Sequence, residues 1–142
     1  MTGKDIAKMM EGCHKKVGTM IHPYICPANY PTIGWGRLLK SLDHPPITQE
    51  QADAMFEVDW SKHQKQALAA SPTLANDDVR LGAITSFVYN LGAGNYQAST
   101  LRRAVNAGDW QEARYQIRRW NKGGGKVLPG LVKRRALEAA LL

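Results

Sequence analysis

The sequence predicts an α+β fold, mainly helical, with a small β-containing N-terminal lobe joined to a larger helical lobe. Three observations predict it. From residue 47 onward, apolar residues recur at helical spacing between recognisable caps. Residues 17 to 36 instead hold Val17, Ile21, Tyr24, Ile25, Tyr30, Ile33 and Trp35, broken by Gly and Pro. The chain has 142 residues and 44% hydrophobic content, which suits one domain with a real core. The expected division is a single domain over 1–142. Its small lobe covers about 13–46, and its helical lobe about 47–142 plus the N-terminal helix.

Taken in order, Thr2 and Asp5 form a capping box for a first helix carrying Ile6, Met9 and Met10, and Gly12 stops it. Two or three short strands or turns follow over 17–36. "LLKSLDHPP" is a linker. Thr48 caps the next helix, Gln51 closes the box and Ile47 staples back, so that this helix runs to about Ala70. "SPTLANDD" is a turn. "VRLGAITSFVYNLG" is the central core helix, stopped by Gly92. Ser99 caps "TLRRAVNAG", which Gly108 ends, and Asp109 with Glu112 forms a further capping box. "NKGGGK" reads as a flexible loop, and Pro129 sits in the first turn of a final helix.

Composition narrows the function classes. No run of 18 apolar residues exists, which argues against a membrane span, and "MTGKDIAKMMEG" lacks the apolar stretch of a signal peptide. The expected place of synthesis and storage is therefore a cytoplasm. Cys13 and Cys26 are expected as free thiols. His14, His22, His44 and His63 are scattered without metal-ligand spacing, and no Walker loop or dinucleotide fingerprint occurs, so neither metal nor cofactor is expected. Residues 1 to 77 carry 8 Lys/Arg and 8 Asp/Glu, whereas residues 78 to 142 carry 11 and 4. The whole net charge of +7 thus lies in the second half, which favours an anionic polymer as partner.

Three residues near the N-terminus are candidates for chemistry. Glu11 ends a helix, where the negative end of the dipole and partial burial would raise its pKa, as a general acid requires. On position alone it also reads as a solvated helix-end carboxylate. Cys26 sits in "YICPANYPTIGWG", as a buried small hydrophobe or as a thiol activated by His22 or Lys16. Thr32 alone is an ordinary strand residue, and Gly34 and Gly36 around Trp35 suggest a tight bend or close backbone approach.

Five stretches together resemble the phage-type lysozyme family, glycoside hydrolase family 24: "EG" at 11–12, "YICPANYPTIGWG" at 24–36, "ITQEQADAMFEVD" at 47–59, "SFVYNLGAGNYQASTLRRAVNAGDW" at 86–110 and "WNKGGGKVLPGLVKRRALEAALL" at 120–142. The resemblance implies a lysozyme-like fold with a cleft between the lobes. It implies hydrolysis of the β-1,4 bond between N-acetylmuramic acid and N-acetylglucosamine in bacterial peptidoglycan. It implies Glu11, Cys26 and Thr32 as the catalytic set, with Cys26 at a position where relatives have Asp or, in many members, Cys. Leu38, Tyr89, Thr100 and Gln116 fall where relatives contact the sugar chain, and Arg134 and Arg135 fall where they would support Glu11 or the cleft. On the residues alone, such a basic run reads as a solvated helix face.

Two departures stand out. Glu11 and Cys26 are fifteen positions apart where the family usually has nine, which marks "VGTMIH" (17 to 22) as an insertion, read as a longer turn or hairpin. Arg37 stands where relatives often have His. Without a signal sequence the chain is expected to be held in the host cytoplasm, as a monomer and with no specific nucleic acid as partner, and the resemblance implies a separate holin that releases it to the periplasm and cell wall. Two alternatives remain open. One is a lytic transglycosylase using Glu11 alone, giving anhydromuramic products. The other is a non-catalytic basic module for wall polymer or nucleic acid, built on Arg102, Arg103, Arg118, Arg119, Lys133, Arg134 and Arg135 with Trp110, Tyr115 and Trp120 for stacking.

Overall fold

The computed structural model describes all 142 residues and contains seven α-helices and eight short strands. They run in the order α1 (Gly3–Glu11), β1 (Lys16–Val17), β2 (Met20–Ile21), β3 (Tyr24–Ile25), β4 (Pro31–Ile33), β5 (Arg37–Leu38), β6 (Ile47–Thr48), α2 (Gln49–Ala70), a 3-10 turn (Pro72–Asn76), α3 (Asp78–Leu91), α4 (Ala93–Gln97), α5 (Thr100–Asn106), α6 (Trp110–Arg118), β7 (Lys122–Gly123), β8 (Lys126–Val127) and α7 (Pro129–Ala139). The chain divides into two compact units. One is Glu11–Ser61, and the other is Met1–Met10 with Lys62–Leu142. The boundary falls within α2. No helix is long and apolar enough to cross a membrane.

Most helix starts follow from side chains three residues apart. Thr2 and Asp5 exchange both capping bonds, at 2.9 and 3.2 Å, and these bonds hold the Asp5 carboxyl below its usual pKa. Thr48 and Gln51 do the same at 2.8 and 3.1 Å, and α2 ends at Ala70. The Ser99 hydroxyl accepts from the Arg102 amide at 3.0 Å. Asp109 supplies only half of the expected box. Its carboxylate accepts from the Glu112 amide at 3.2 Å, but Glu112 turns its own carboxylate to Gln116 at 2.7 Å.

In the Glu11–Ser61 unit, two three-stranded antiparallel sheets replace the two or three strands expected over 17–36. The first has the order β1-β2-β6 and the second β3-β4-β5. The insertion at 17–22 is a hairpin, as its length suggested, and it is more than an appendage. Its second strand pairs Ile21 with Ile47 and Met20 with Thr48. Ile21 is fully buried and forms a small core with Ile33, Ile47 and Ala52. Burying a side chain of that size contributes about 2–3 kcal/mol. In the second sheet Thr32 lies opposite both Tyr24 and Leu38, and Ile33 opposite Arg37.

In the other unit α3 is the central helix, as its apolar face predicted. Leu81 and every residue from 83 to 88 are buried. Gly3 of α1 meets Gly82 of α3 so closely that a Cβ on Gly3 would sit 1.9 Å from the Gly82 carbonyl oxygen. Tyr96 is wholly buried with its hydroxyl 2.6 Å from Ser71 Oγ, and burial pushes its pKa up to about 12. Two expectations are corrected here. "NKGGGK" is not a flexible loop but the turn of an antiparallel hairpin, with Lys122 opposite Val127. Gly124 (φ 58°) and Gly125 (φ 79°) both adopt the left-handed conformation that a tight two-residue hairpin turn requires. Arg134 and Arg135 do not lie on a solvated face, being 2% and 0% exposed. Both bond Glu138, itself fully buried. Arg134 also donates to the Ser86 carbonyl at 3.0 Å, and Arg135 stacks over the Phe87 ring at 5.0 Å.

Candidate active site

Glu11 is the last residue of α1, and the chain leaves the helix through Gly12 at φ 68°. The His14 ring folds back so that its Nε2 lies 2.9 Å from the Glu11 carbonyl oxygen. A carbonyl only accepts, so Nε2 carries the proton, and the ring closes the helix end. His14 in turn meets Tyr24 edge to face at 5.4 Å.

The Glu11 carboxylate lies against the backbone of Gly36. A Cβ at that position would be 2.7 Å from Glu11 Oε2 and 3.2 Å from Cδ. Gly36 also has φ 93°, so absence of a side chain answers two demands at once. Its neighbours tie the turn to α2. Trp35 donates from Nε1 to Asp53 Oδ1 at 2.7 Å, and Gln49 donates to the same oxygen at 3.0 Å. Arg37, the expected departure from His, grips Asp59 with Nε and Nη2 at 3.0 and 2.9 Å. Such a two-pronged charged pair fixes orientation as well as distance. The backbone that faces Glu11 is therefore anchored on both sides.

Cys26 opens a turn held by Asn29 N–H to the Cys26 carbonyl (2.8 Å) and by Cys26 N–H to the Tyr30 carbonyl (2.9 Å). Asn29 supplies the left-handed residue, at φ 68°. Burial works against ionisation of the Cys26 thiol, but hydrogen bonds with the Tyr30 backbone, the Thr32 side chain and the Ala28 backbone outweigh it and lower the pKa. These bonds do the work that the sequence reading assigned to His22 and Lys16. Thr32 is buried, and its hydroxyl donates to the Tyr30 carbonyl at 2.9 Å. A single hydroxyl proton serves one acceptor at a time. While Cys26 is a thiol, Thr32 keeps its bond to Tyr30 and its oxygen can receive the S–H. Both cysteines are free thiols.

Tyr24 was missed by sequence reasoning. Burial raises its pKa, and the negative charges of Glu11, Cys26 and Cys13 raise it further. Tyr24 lies opposite Thr32 in the sheet. Nothing local marks Tyr24; only the pairing of β3 with β4 brings it to these groups.

The four residues expected at the sugar chain are distributed over both units. Leu38 is in the same unit as Glu11, on β5, with 64% of its surface exposed. Tyr89 is half-buried on α3 and meets His63 edge to face at 5.1 Å. Thr100 and Gln116 are brought together, the Thr100 hydroxyl donating to Gln116 Oε1 at 2.6 Å. Gln116 is buried, and its amide also bonds Arg119 and Glu112.

The family profile described as Phage lysozyme matches residues 9–138, which takes in every candidate site residue. The chain belongs to the phage lysozyme family. An endolysin of Bacillus phage B103 is 34% identical over 144 residues, covering 98% of this chain and 51% of the relative. An endolysin of Acyrthosiphon pisum secondary endosymbiont phage 1 is 33% identical over 135 residues, covering 87% of each. Among solved structures, an endolysin from Escherichia coli O157:H7 phage FAHEc1 superposes with a TM-score of 0.78 at 29% identity, over 98% of this chain and 89% of that one. The chain spans about half the length of the curated Bacillus phage relatives it matches. Within this family the lysozyme-like fold, mainly helical with small sheets, is the expected one.

Proposed function

We propose that the chain is a muralytic glycoside hydrolase that lyses the bacterial wall by cutting the β-1,4 bond between N-acetylmuramic acid and N-acetylglucosamine. The observation that carries the reading is the Glu11 carboxylate set against the Gly36 turn, which joins β5 to the strand that holds Thr32, in a chain of the phage lysozyme family. Glu11 donates its proton to the glycosidic oxygen as the bond to the anomeric carbon breaks. On the other face, the Cys26 thiolate takes a proton from a water whose oxygen attacks that carbon, and Thr32 orients the pair. The thiol then passes its proton to solvent and Glu11 is reprotonated, which closes the cycle. Leu38, exposed opposite Thr32, supplies an apolar contact for a sugar ring. Action on the wall follows release by a separate holin.

The test is mass spectrometry of products from purified peptidoglycan digested in isotopically labelled water, beside Glu11→Gln. The expected result is reducing muramic ends carrying one solvent oxygen, and none with the variant. Anhydromuramic ends would replace hydrolysis by transglycosylation, and absence of cleavage would overturn both.

The role of Cys26 has its own signature. Cys26→Ala should fold normally and lose about 10²- to 10⁴-fold in turnover, the range of a general base. Hydrogen bonds to the thiolate favour its charged form, so alkylation by iodoacetamide should accelerate at a pH below that of a free cysteine. Thr32→Val removes one of those bonds, and the alkylation profile should move to higher pH together with the acid limb of activity. An unshifted profile with full activity would return Cys26 and Thr32 to packing.

A further inference from the structure

Between Glu112 and Glu138 the sequence carries eight Arg and Lys and no Asp or Glu. Two of the eight, Arg134 and Arg135, are buried and bonded to Glu138. The other six reach the surface. The same stretch also holds apolar side chains that the fold leaves outside. Val127 is 54% exposed, Leu128 41% and Val132 43%. The hairpin of β7 and β8 runs directly into α7, whose first turn is closed by the Val132 amide on the Leu128 carbonyl at 3.0 Å. Leu128 and Val132 are therefore one helical turn apart on one face, next to Val127. Lys122, Lys126 and Lys133, all exposed, flank them. None of these residues belongs to the catalytic set.

We propose that the β7–β8 hairpin and the first turn of α7 dock on an anionic lipid surface. Charge complementarity argues for an anionic partner, since no carboxylate interrupts the run. The apolar side chains decide which kind. A hydrated wall polymer or nucleic acid backbone would leave Val127, Leu128 and Val132 in water. A bilayer takes lysines at its headgroups and valine and leucine at the acyl boundary. The tight Gly124–Gly125 turn presents Lys126 and Val127 without a bulky tip. An enzyme held there would remain at the membrane that borders the wall.

The experiment is co-sedimentation of the full chain with vesicles. One set is pure phosphatidylcholine, and the other contains phosphatidylglycerol. Binding should require phosphatidylglycerol and weaken with salt. Lys122→Gln and Lys126→Gln should each lower partitioning about fivefold. Val127→Ser changes no charge and should lower it severalfold, while hydrolysis of soluble wall fragments stays unchanged. Circular dichroism of each variant confirms the fold. Absence of binding overturns the proposal. So does binding that depends on the lysines alone, with Val127→Ser binding as the parent does and a soluble polyanion competing fully, because that pattern belongs to a polymer site.

Discussion

On the proposed role of Glu11 as the acid, replacing Gly36 with alanine is expected to lower wall lysis about a hundredfold while the protein stays folded. Two effects meet at this position. The backbone at φ 93° disfavours any L side chain, at a cost of about 1–2 kcal/mol. The new methyl would also stand 2.7 Å from Glu11 Oε2, inside the contact distance of carbon and oxygen. The turn cannot retreat easily, since Trp35 and Arg37 hold it to Asp53 and Asp59 on either side. The carboxylate must move instead. If Glu11 is the acid, as proposed, a displacement of about 1 Å is enough to cost a factor on the order of 10².

Gly34→Ala separates strain from displacement. Gly34 also lies in the left-handed region, at φ 63°, but its Cβ would meet the Ala52 Cβ at 3.4 Å and the Ala52 Cα and Ile47 Cδ1 at 3.8 Å, ordinary contacts. The two variants should lose comparable stability by thermal melting, and only Gly36→Ala should lose activity out of proportion. Equal activity losses would mean that Gly36 matters to the turn and not to Glu11.

The same contrast between local and distant determinants explains what could be read from the sequence. Thr2 with Asp5, Thr48 with Gln51 and Ser99 with Arg102 act across three residues, so each helix start was legible before any tertiary contact was known. The ends at Gly12, Gly92 and Gly108 were legible for the same reason. The sheets were under-counted because strands of two residues carry almost no periodic signal, and β2 finds its partner β6 more than twenty residues away. Tyr24 and Asp53 escaped notice because cross-strand pairing and a side-chain bond across eighteen positions bring them into play. The hairpin at 122–127 was within reach. Adjacent glycines between short strands are a turn signal, and reading them as flexibility ignored the β-branched Val127 beside them. Lysine and arginine on a helix usually mean solvent. At Arg134 and Arg135 the contrary sign was Glu138, four and three positions on, but their burial depends on Ser86 and Phe87 from α3.

That buried cluster carries the largest stability effect expected outside the hydrophobic core. Glu138 is the carboxylate that Arg134 and Arg135 both bond, through Oε2 at 3.3 and 3.1 Å, with Arg135 Nε 2.7 Å from Oε1. The Ser86 hydroxyl donates to Oε2 at 2.6 Å. Glu138→Gln keeps the shape but removes the charge, and the new amide N–H groups would face guanidinium donors. Breaking a buried pair in this way costs about 3–5 kcal/mol, because the remaining charge cannot regain water. The measurement is urea denaturation of the variant against the parent at neutral pH. Arg135→Met combined with Glu138→Gln removes one of the two guanidiniums as well, and leaves an apolar side chain against Phe87. The pair should therefore lose clearly less than the sum of the single losses. A loss below about 1 kcal/mol for Glu138→Gln, or strict additivity in the double variant, would mean that the three charges do not act as one unit in holding α7 to α3.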